Sequence, residues 1–487
     1  MSEYFVTICK DGGKEEKIPA TAGASFLWLL NGNGYPLICC NGKGGCGRCR
    51  IRFLGNAPLP TPADRNALTA QELREGVRLA CMHRVKKECR IRVEFVPPGQ
   101  VEVVTDYAGA EAAGKVCEPY VLAVDLGTTT IAANAVSLPS MQGAGSGLQL
   151  LAQAGRMNPQ RAWGSDVISR IQAAARGEEK AMQEEAQSAV AALITEIVGQ
   201  TGRLPESVCL AGNTVMEHLF LGLDVSGLGQ YPFRPVSLKE QRTRLSLHLF
   251  GPSSSQDCEV CLLPGISAFV GADVLAGLLA CGFGNASDKR YRLFIDLGTN
   301  GEMAIGNGER LICTATAAGP AFEGGASANV PGTDMIALLA RLLREKKIDR
   351  TGLLCEELFD EGWREGKLRV TQQDIRSLQM AKAAVRVGVE LLMQKLGASD
   401  ASVEEVYLAG GFGRFLDVES AVAIGLIPEG LAGKVKAVGN TSLLGAALYG
   451  GKPEIPALAA ALAEQAEVMN LAEEPGFYEK YMANLEF

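Results

Sequence analysis

VLAVDLGTTTIAANAV at 121–136 and RLFIDLGTNGEMAIG at 292–306 are two copies of one design. Each opens on an apolar run suited to a buried strand, turns through Asp-Leu-Gly-Thr, and leaves on a second strand. Two further stretches match each other in the same way: VCLAGNTVMEHLF at 208–220 and VYLAGGFGRFLD at 406–417, each a strand, an Ala-Gly turn and a helix. The chain order is therefore DLGT, LAG, DLGT, LAG. A repeat in that order predicts two similar α/β lobes facing one another, with a ligand held between their turns.

The residue types in these turns suit polyphosphate. In a DLGT hairpin the glycine admits a close approach, backbone N–H groups and threonine hydroxyls reach phosphate oxygens, and the aspartate can hold Mg2+ through its waters. One such hairpin is a weak signal, because Asp-Gly turns commonly follow strands. A pair can clamp one phosphate chain, and a GGFG loop at 410–413 is flat enough to admit a purine. The plain alternative is two structural hairpins without a nucleotide. This constellation resembles the phosphate-1, phosphate-2 and adenosine motifs of the actin, hexokinase and heat-shock-chaperone ATPase superfamily. Carried over by motif, Asp125, Gly127, Thr128, Thr129, Asp296, Gly298, Thr299, Asn300, Gly410, Gly411 and Gly413 are expected to line ATP. Asp273 in FVGAD, Glu302 in GTNGE and Glu323 in AFEGG each lie near one of these turns and are candidates to orient the attacking water. A cap or an ion-pair partner is the alternative for each. Asp166 in GSDVISRI has the profile of a helix N-cap. His83, His218 and His248 complete no nucleophile set.

A different chemistry occupies the start of the chain. Cys40, Cys46 and Cys49 stand in CNGKGGCGRC, a C-x5-C-x2-C run, and Cys81 follows in RLACMHR. Four thiolates suit tetrahedral zinc or a [2Fe-2S] cluster. Structural zinc usually takes two short knuckles, whereas here three cysteines share one glycine-rich loop and the fourth stands alone. Gly42, Gly44, Gly45 and Gly47 let the loop turn tightly and aim N–H groups at sulfur. Cys39 is an alternative to Cys40, at a longer first gap. YFVTICK and EEKIPA read as a hairpin, SFLWLLNGNG as a helix with a glycine stop, and CRIRVEF as a closing strand. Residues 1–96 thereby resemble the β-grasp [2Fe-2S] ferredoxins, with adrenodoxin-like rather than plant-type spacing. Cys258 and Cys261 have no second pair and read as core.

Composition sets the outer bounds. A chain of 487 residues suggests about three domains. The net charge of −8 argues against a general nucleic-acid or anionic-membrane binder. Residues 1–100 carry 15 Lys+Arg against 9 Asp+Glu, or +6, and the rest carry 32 against 46, or −14. A basic module is thus joined to an acidic body, and Lys43, Arg48 and Arg50 crowd the cysteine loop. MSEYFVTICKDGG shows no secretory pattern, so a cytoplasmic location is expected. The apolar stretch 261–284 is interrupted by Pro264, Gly265, Gly271 and Asp273 and reads as strand, turn and core helix rather than a membrane span.

Over most of 120–450 the likeness narrows. NPQRAWGSDVISRI, LAGNTVMEHLFLG, PGISAFVGADV, AAGPAFEGG, VYLAGGFG and NTSLLGA resemble the ATPase part of the reductive activators of corrinoid proteins, in which a [2Fe-2S] ferredoxin domain precedes that part. The chain shares this domain order and differs in its short intervening segment, which leaves a homodimer open. The resemblance implies an α/β multidomain protein: a ferredoxin-like domain at 1–97, a linker at 98–119, ATPase lobes of ribonuclease-H-like, actin-like fold at 120–290 and 291–451, and a helical tail at 452–487. It implies a [2Fe-2S] cluster, ATP and Mg2+ as cofactors. The activity implied is reduction of the inactive Co(II) corrinoid protein of a methyltransferase system to Co(I), with electrons from an external low-potential donor. The rivals are ATP-coupled electron delivery to another metalloenzyme, a small-molecule kinase with a redox-sensing domain, and a docking protein switched by nucleotide.

Overall fold

Alternation in the first strand sets the first module: Val6 and Ile8 point into a core while Phe5 lies exposed. In the computed structural model, residues 3–9, 15–31, 33, 35, 37, 44, 47, 49–93, 119–137, 149–164, 166–248, 255–284, 289–298, 300–316, 322, 332–365, 368–410 and 416–487 are described. Strands β1 (Glu3–Cys9), β2 (Glu15–Thr21), β3 (Arg50–Phe53), β4 (Val77–Leu79) and β5 (Cys89–Val93) form a sheet in the order β2-β1-β5-β3-β4. The β1–β5 pair is parallel and its neighbours are antiparallel. Helix α1 (Phe26–Asn31) covers one face, with Phe26, Leu27 and Leu30 packed among Val6, Ile8, Ile51, Leu79 and Ile91. This is the β-grasp arrangement. Thr61-Pro-Ala-Asp64 and Thr69-Ala-Gln-Glu72 start α2 (Pro62–Ala67) and α3 (Ala70–Arg74) with reciprocal capping boxes.

The duplication read from the sequence is geometric. Strands β6 (Tyr120–Leu126), β7 (Thr130–Ser137), β8 (Gln149–Met157), β9 (Ser207–Gly212), β10 (Gln241–His248) and β11 (Ser255–Leu262) are ordered β10-β11-β9-β6-β7-β8. Strands β12 (Tyr291–Leu297), β13 (Gly301–Gly306), β14 (Leu311–Thr316), β17 (Val403–Ala409), β18 (Val435–Gly439) and β19 (Ala466–Val468) are ordered β18-β17-β12-β13-β14-β19; β15 (Trp363–Glu365) and β16 (Leu368–Val370) pair apart. In each lobe the DLGT strand runs antiparallel to the next strand and parallel to the LAG strand. Asp125 stands opposite Ala211, and Asp296 opposite Ala409.

Helices α4 (Val167–Ala173), α5 (Glu179–Thr201), α6 (Thr214–Leu221) and α7 (Ala272–Ala280) follow the first sheet's strands. The second lobe has α8 (Gly332–Arg344), α9 (Glu356–Phe359), α10 (Gln372–Leu396), α11 (Val418–Ala423), α12 (Thr441–Gly451), α13 (Ile455–Gln465) and α14 (Phe477–Ala483). Packing also runs across residue 290. Helix α12 lies over β6 and β9 of the first sheet and against α7. Leu275, Leu278, Phe294, Ala304, Leu443 and Ala447 share one core with Ala123 and Ala211. The contact is backbone-close, because a Cβ on Gly445 of α12 would stand 2.0 Å from the Ala276 carbonyl oxygen of α7.

The tail carries a short strand among its helices. Its β19 adds a parallel strand to β14, pairing Ala466 with Leu311, and α14 packs on α10, so 452–487 completes the second lobe. The apolar stretch 261–284 resolves into the end of β11, a loop and α7. Among the described residues no helix is long and apolar enough to cross a membrane. Residues 98–118 of the expected linker lie outside the described residues.

Candidate functional site

Both hairpin aspartates sit at the ends of their strands and face a shared cluster of acids. Asp125 accepts hydrogen bonds from Asn440 Nδ2 at 2.8 Å and Ser442 Oγ at 3.0 Å, both at the start of α12. Gly127 has no room for a side chain, since a Cβ would lie 2.8 Å from the Thr130 carbonyl oxygen. Thr128 Oγ1 accepts from Asn213 Nδ2 at 3.0 Å, and Asn213 caps α6 by accepting from the Met216 N–H. In the second hairpin the Gly298 N–H donates to the Asn300 carbonyl at 3.0 Å. Gly410, at φ +83°, touches Asp296: a Cβ there would be 2.6 Å from Asp296 Oδ1. The glycine that opens the GGFG loop therefore lies against the second aspartate. Asp273 enters from α7, where its Oδ1 accepts from the Val274 N–H at 2.8 Å.

Electrostatics ties these residues together. Burial, then Asp125, pushes the Asp296 carboxyl up to about 7. Burial, then Asp296 and Asp125, pushes Asp273 up to about 7. Glu302, paired across the hairpin with Asp296, is driven well above the usual carboxylate range by burial, Asp273 and Asp296. Asp125 is raised by burial, partly offset by its bonds from Asn440 and Ser442. The acids form a cluster in which each proton loss makes the next harder, an environment that a divalent cation relieves.

Glu217 of α6 belongs to this cluster and was not among the residues singled out from the sequence. Its carboxyl is raised by burial and then by Asp273, and its Oε1 is buried without a hydrogen-bond partner. Gly271 lets α6 and α7 begin side by side, since a Cβ there would stand 2.5 Å from Asn213 Cα and 2.8 Å from Asp273 Oδ1. Thr299, Gly411, Gly413 and Glu323 lie outside the described residues. Asp166 is the N-cap of α4, accepting from Ser169 N and Oγ at 2.8 Å each. His218 is buried and packs as expected: Nδ1 donates to the Thr214 carbonyl, Nε2 accepts from the Val236 N–H, and burial lowers its pKa. Cys261 is buried, whereas Cys258 is half-buried at its strand.

In the first module, Cys49 is buried just before β3, and Cys81 lies on a turn after β4. The Ala80 N–H donates to the Cys49 carbonyl at 2.7 Å and joins the two segments. Gly44, at φ +73°, is pressed against this turn, because a Cβ would meet Met82 Sδ at 2.6 Å. Cys40 and Cys46 lie outside the described residues, as do Lys43 and Arg48. Asp64 braces the Cys81 segment from within, accepting from Leu79 N at 2.9 Å, Thr61 N at 2.7 Å and His83 Nε2 at 2.7 Å. Burial alone would raise its carboxyl, but these bonds outweigh it and hold it at about 2. Arg50 is paired with Glu72 at 2.6 Å.

Two facing α/β lobes with paired Asp-Gly-Thr hairpins, joined behind a β-grasp module, define an ASKHA-type protein fused to a ferredoxin-like domain. Residues 120–286 match the family model "RACo middle region", and 290–329 with 326–487 match "C-terminal domain of RACo the ASKHA domain". The corrinoid activation enzyme RamQ of Eubacterium limosum is 32% identical over 434 residues, covering 76% of this chain and 70% of the relative. The chain belongs to this family, the reductive activators of corrinoid proteins. A Co(II) methylated-amine-specific corrinoid protein reductase of Methanosarcina barkeri is 24% identical over 298 residues, covering 49% of this chain and 54% of the relative. A solved structure of a reductive activator for corrinoid,iron-sulfur protein superposes with a TM-score of 0.65 at 24% identity, over 99% of this chain and 98% of that one. The shared fold thus includes the first module as well as both lobes.

Proposed function

We propose that this protein is an ATP-dependent reductive activator, returning the inactive Co(II) corrinoid of a methyltransferase system to Co(I) with one electron from an N-terminal [2Fe-2S] cluster. The observation that carries this reading is one chain of this family joining a carboxylate cluster between duplicated hairpins to a β-grasp sheet that brings the Cys49 and Cys81 segments together. The cleft suits MgATP on its own chemistry. Burial opposes the ionisation of all five carboxyls, and repulsion adds to it at Glu217, Asp273, Asp296 and Glu302, so a cation would favour their charged forms. Gly127 and Gly410 let the two turns close tightly, since a Cβ would lie 2.8 Å from the Thr130 carbonyl oxygen and 2.6 Å from Asp296 Oδ1 respectively. Asp125 and Asp296 would face the metal side, Gly127, Thr128, Thr129, Gly298, Thr299 and Asn300 the phosphates, and Gly410, Gly411 and Gly413 the purine. Bound MgATP would supply a cleavable phosphoanhydride. Asp273, Glu302 and Glu323, with Glu217 added by the fold, are the carboxyls that would orient the attacking water or take its proton.

Cys49 and Cys81, brought together by the Ala80–Cys49 bond, fit two of the four thiolates of an iron-sulfur site, and Cys40 and Cys46 would complete it. Such a cluster supplies a one-electron carrier. The fold's part is to exclude water around buried Cys49 and to fix the Cys81 turn through Asp64. The test is anaerobic single-turnover reduction of a Co(II) corrinoid protein by the dithionite-reduced protein, followed by the cobalt spectrum. Co(I) should accumulate with MgATP and an electron source. Its absence under those conditions, or phosphorylation of a small hydroxy compound, would defeat the reading.

A further inference from the structure

Behind the first hairpin lies a layer of polar groups that the nucleotide reading does not use. Asn158 Nδ2 donates to the Gly127 carbonyl at 2.8 Å, and the Asn158 main-chain N–H donates to the Thr129 carbonyl at 2.9 Å. Arg170 donates from Nη2 to the Thr128 carbonyl, from Nε to the Gly164 carbonyl at 3.1 Å, and from Nη1 to Gln160 Oε1 at 3.3 Å. Asn158 is 1% exposed and Arg170 0%. Three successive carbonyls of the hairpin, those of residues 127, 128 and 129, are therefore all engaged from one side. In a trans peptide the C=O and the following N–H point in opposite directions. Drawing these carbonyls back turns the N–H groups of Thr128, Thr129 and Thr130 away from Asn158 and Arg170.

The supports are themselves fixed. Asp166 caps the helix that carries Arg170, and Gly164 sits so close to Ser169 that a Cβ would lie 2.2 Å from the serine Cβ. The helix widens for one turn at Ala174–Glu178, where Gly177 has φ +88°. A buried guanidinium held in this way cannot swing out, and it places a permanent positive charge behind Thr128.

We propose that Asn158 and Arg170 are positioning residues for phosphate binding: they set the peptide planes of 127–130 so that consecutive N–H groups face the phosphate chain. The proposal rests on the nucleotide reading of this cleft. Calorimetric titration of the full-length protein with MgATP and, separately, with adenosine tests it. Arg170→Met and Asn158→Ala should each weaken MgATP about tenfold or more, the loss of one or two charge-assisted hydrogen bonds. Adenosine affinity should change less than about twofold. Arg170→Lys should restore part of the loss, since lysine keeps the charge but reaches fewer carbonyls. Asn158→Asp, which keeps the shape but sets an acceptor against the Gly127 carbonyl, should weaken MgATP as much as Asn158→Ala and carries the test if Arg170→Met gives no cooperative melt. Equal losses for both ligands, or unchanged MgATP affinity in the variants, would overturn the positioning role while leaving the nucleotide reading intact. Failure of the unaltered protein to bind either ligand would overturn both.

Discussion

Replacing Asp296 by asparagine should make the nucleotide-free protein more stable at pH 8 while abolishing its stabilisation by MgATP. Burial and then Asp125 push the Asp296 carboxyl from an ordinary 3.8 to about 7. A carboxyl whose folded-state pKa is raised keeps, in the folded protein, a proton that the unfolded chain has already lost between those two values. Stability therefore falls as pH rises through that window, and the full penalty is present above it. A shift of this size corresponds to about 4 kcal/mol. That is an upper figure, because Asp273, Asp125 and Glu302 share the same repulsion and their penalties do not add. Asparagine carries no charge in either state. A gain of ~2–4 kcal/mol is expected at pH 8, or several degrees at ~2–4 °C per kcal/mol. The gain should shrink towards pH 5 and disappear below about pH 4. The assay is thermal unfolding followed by circular dichroism across this pH range, with and without MgATP. The unaltered protein should gain stability from the ligand in proportion to RT ln(1 + [L]/Kd), and the variant should gain none. If Asp296→Asn melted below the unaltered protein at pH 8, or if the unaltered protein's midpoint were flat from pH 6 to 8, the repulsion reasoning would be refuted.

Three other expectations stand beside it. Gly445→Val should lower the melting midpoint by the ~1–3 kcal/mol of an overpacked core, because its Cβ would lie 2.0 Å from the Ala276 carbonyl oxygen; an unchanged midpoint would show that the α7–α12 contact is not tight. Anaerobically prepared protein should contain about two iron and two acid-labile sulfide per chain, which Cys81→Ser should lose and Cys258→Ser should keep; zinc without sulfide would defeat the cluster assignment. Asp125→Ala should slow MgATP hydrolysis by roughly 10²–10³-fold, as for loss of a principal charge-stabilising group, and an unaltered rate would remove this aspartate from the site.

The paired hairpins were legible because their signals are local. An apolar strand ending in Asp and Gly can be recognised without knowing its neighbours, and the repeat then implies the partner lobe. Glu217 carries no such mark. An acid in the first turn of a helix is ordinary, and only the close start of α6 beside α7, allowed by Gly271, turns it inward. Its place between buried Met216 and His218 is the one available hint. The three residues of β19 are too few to show a period, so its pairing with β14 is fixed by the second sheet's open edge. Helix α12 hid its destination differently. NTSLLGAALYGG is apolar on all sides, as befits a helix buried between the first sheet and α7, but nothing in its sequence says which elements will cover it.

That placement explains why the acids and the lobes form one system. Asn440 and Ser442 at the start of α12 hold Asp125 of the first lobe, although α12 follows the second lobe's strands. Helix α12 crosses α7 at Gly445, and α7 begins with Asp273. In the second sheet, Asp296 at the end of β12 rests against Gly410 just past the end of the neighbouring β17. Charge added between these carboxyls therefore acts on both sheets and both crossing helices at once. Burial first, and then mutual repulsion, raises Asp273 and Asp296 to about 7; the repulsion favours wider separation of the acids, and a divalent cation placed between them would oppose it. On the nucleotide reading, a change of charge in this cleft would bear on the α7–α12 contact, where a Cβ on Gly445 would stand 2.0 Å from the Ala276 carbonyl oxygen and no flexible side chain intervenes.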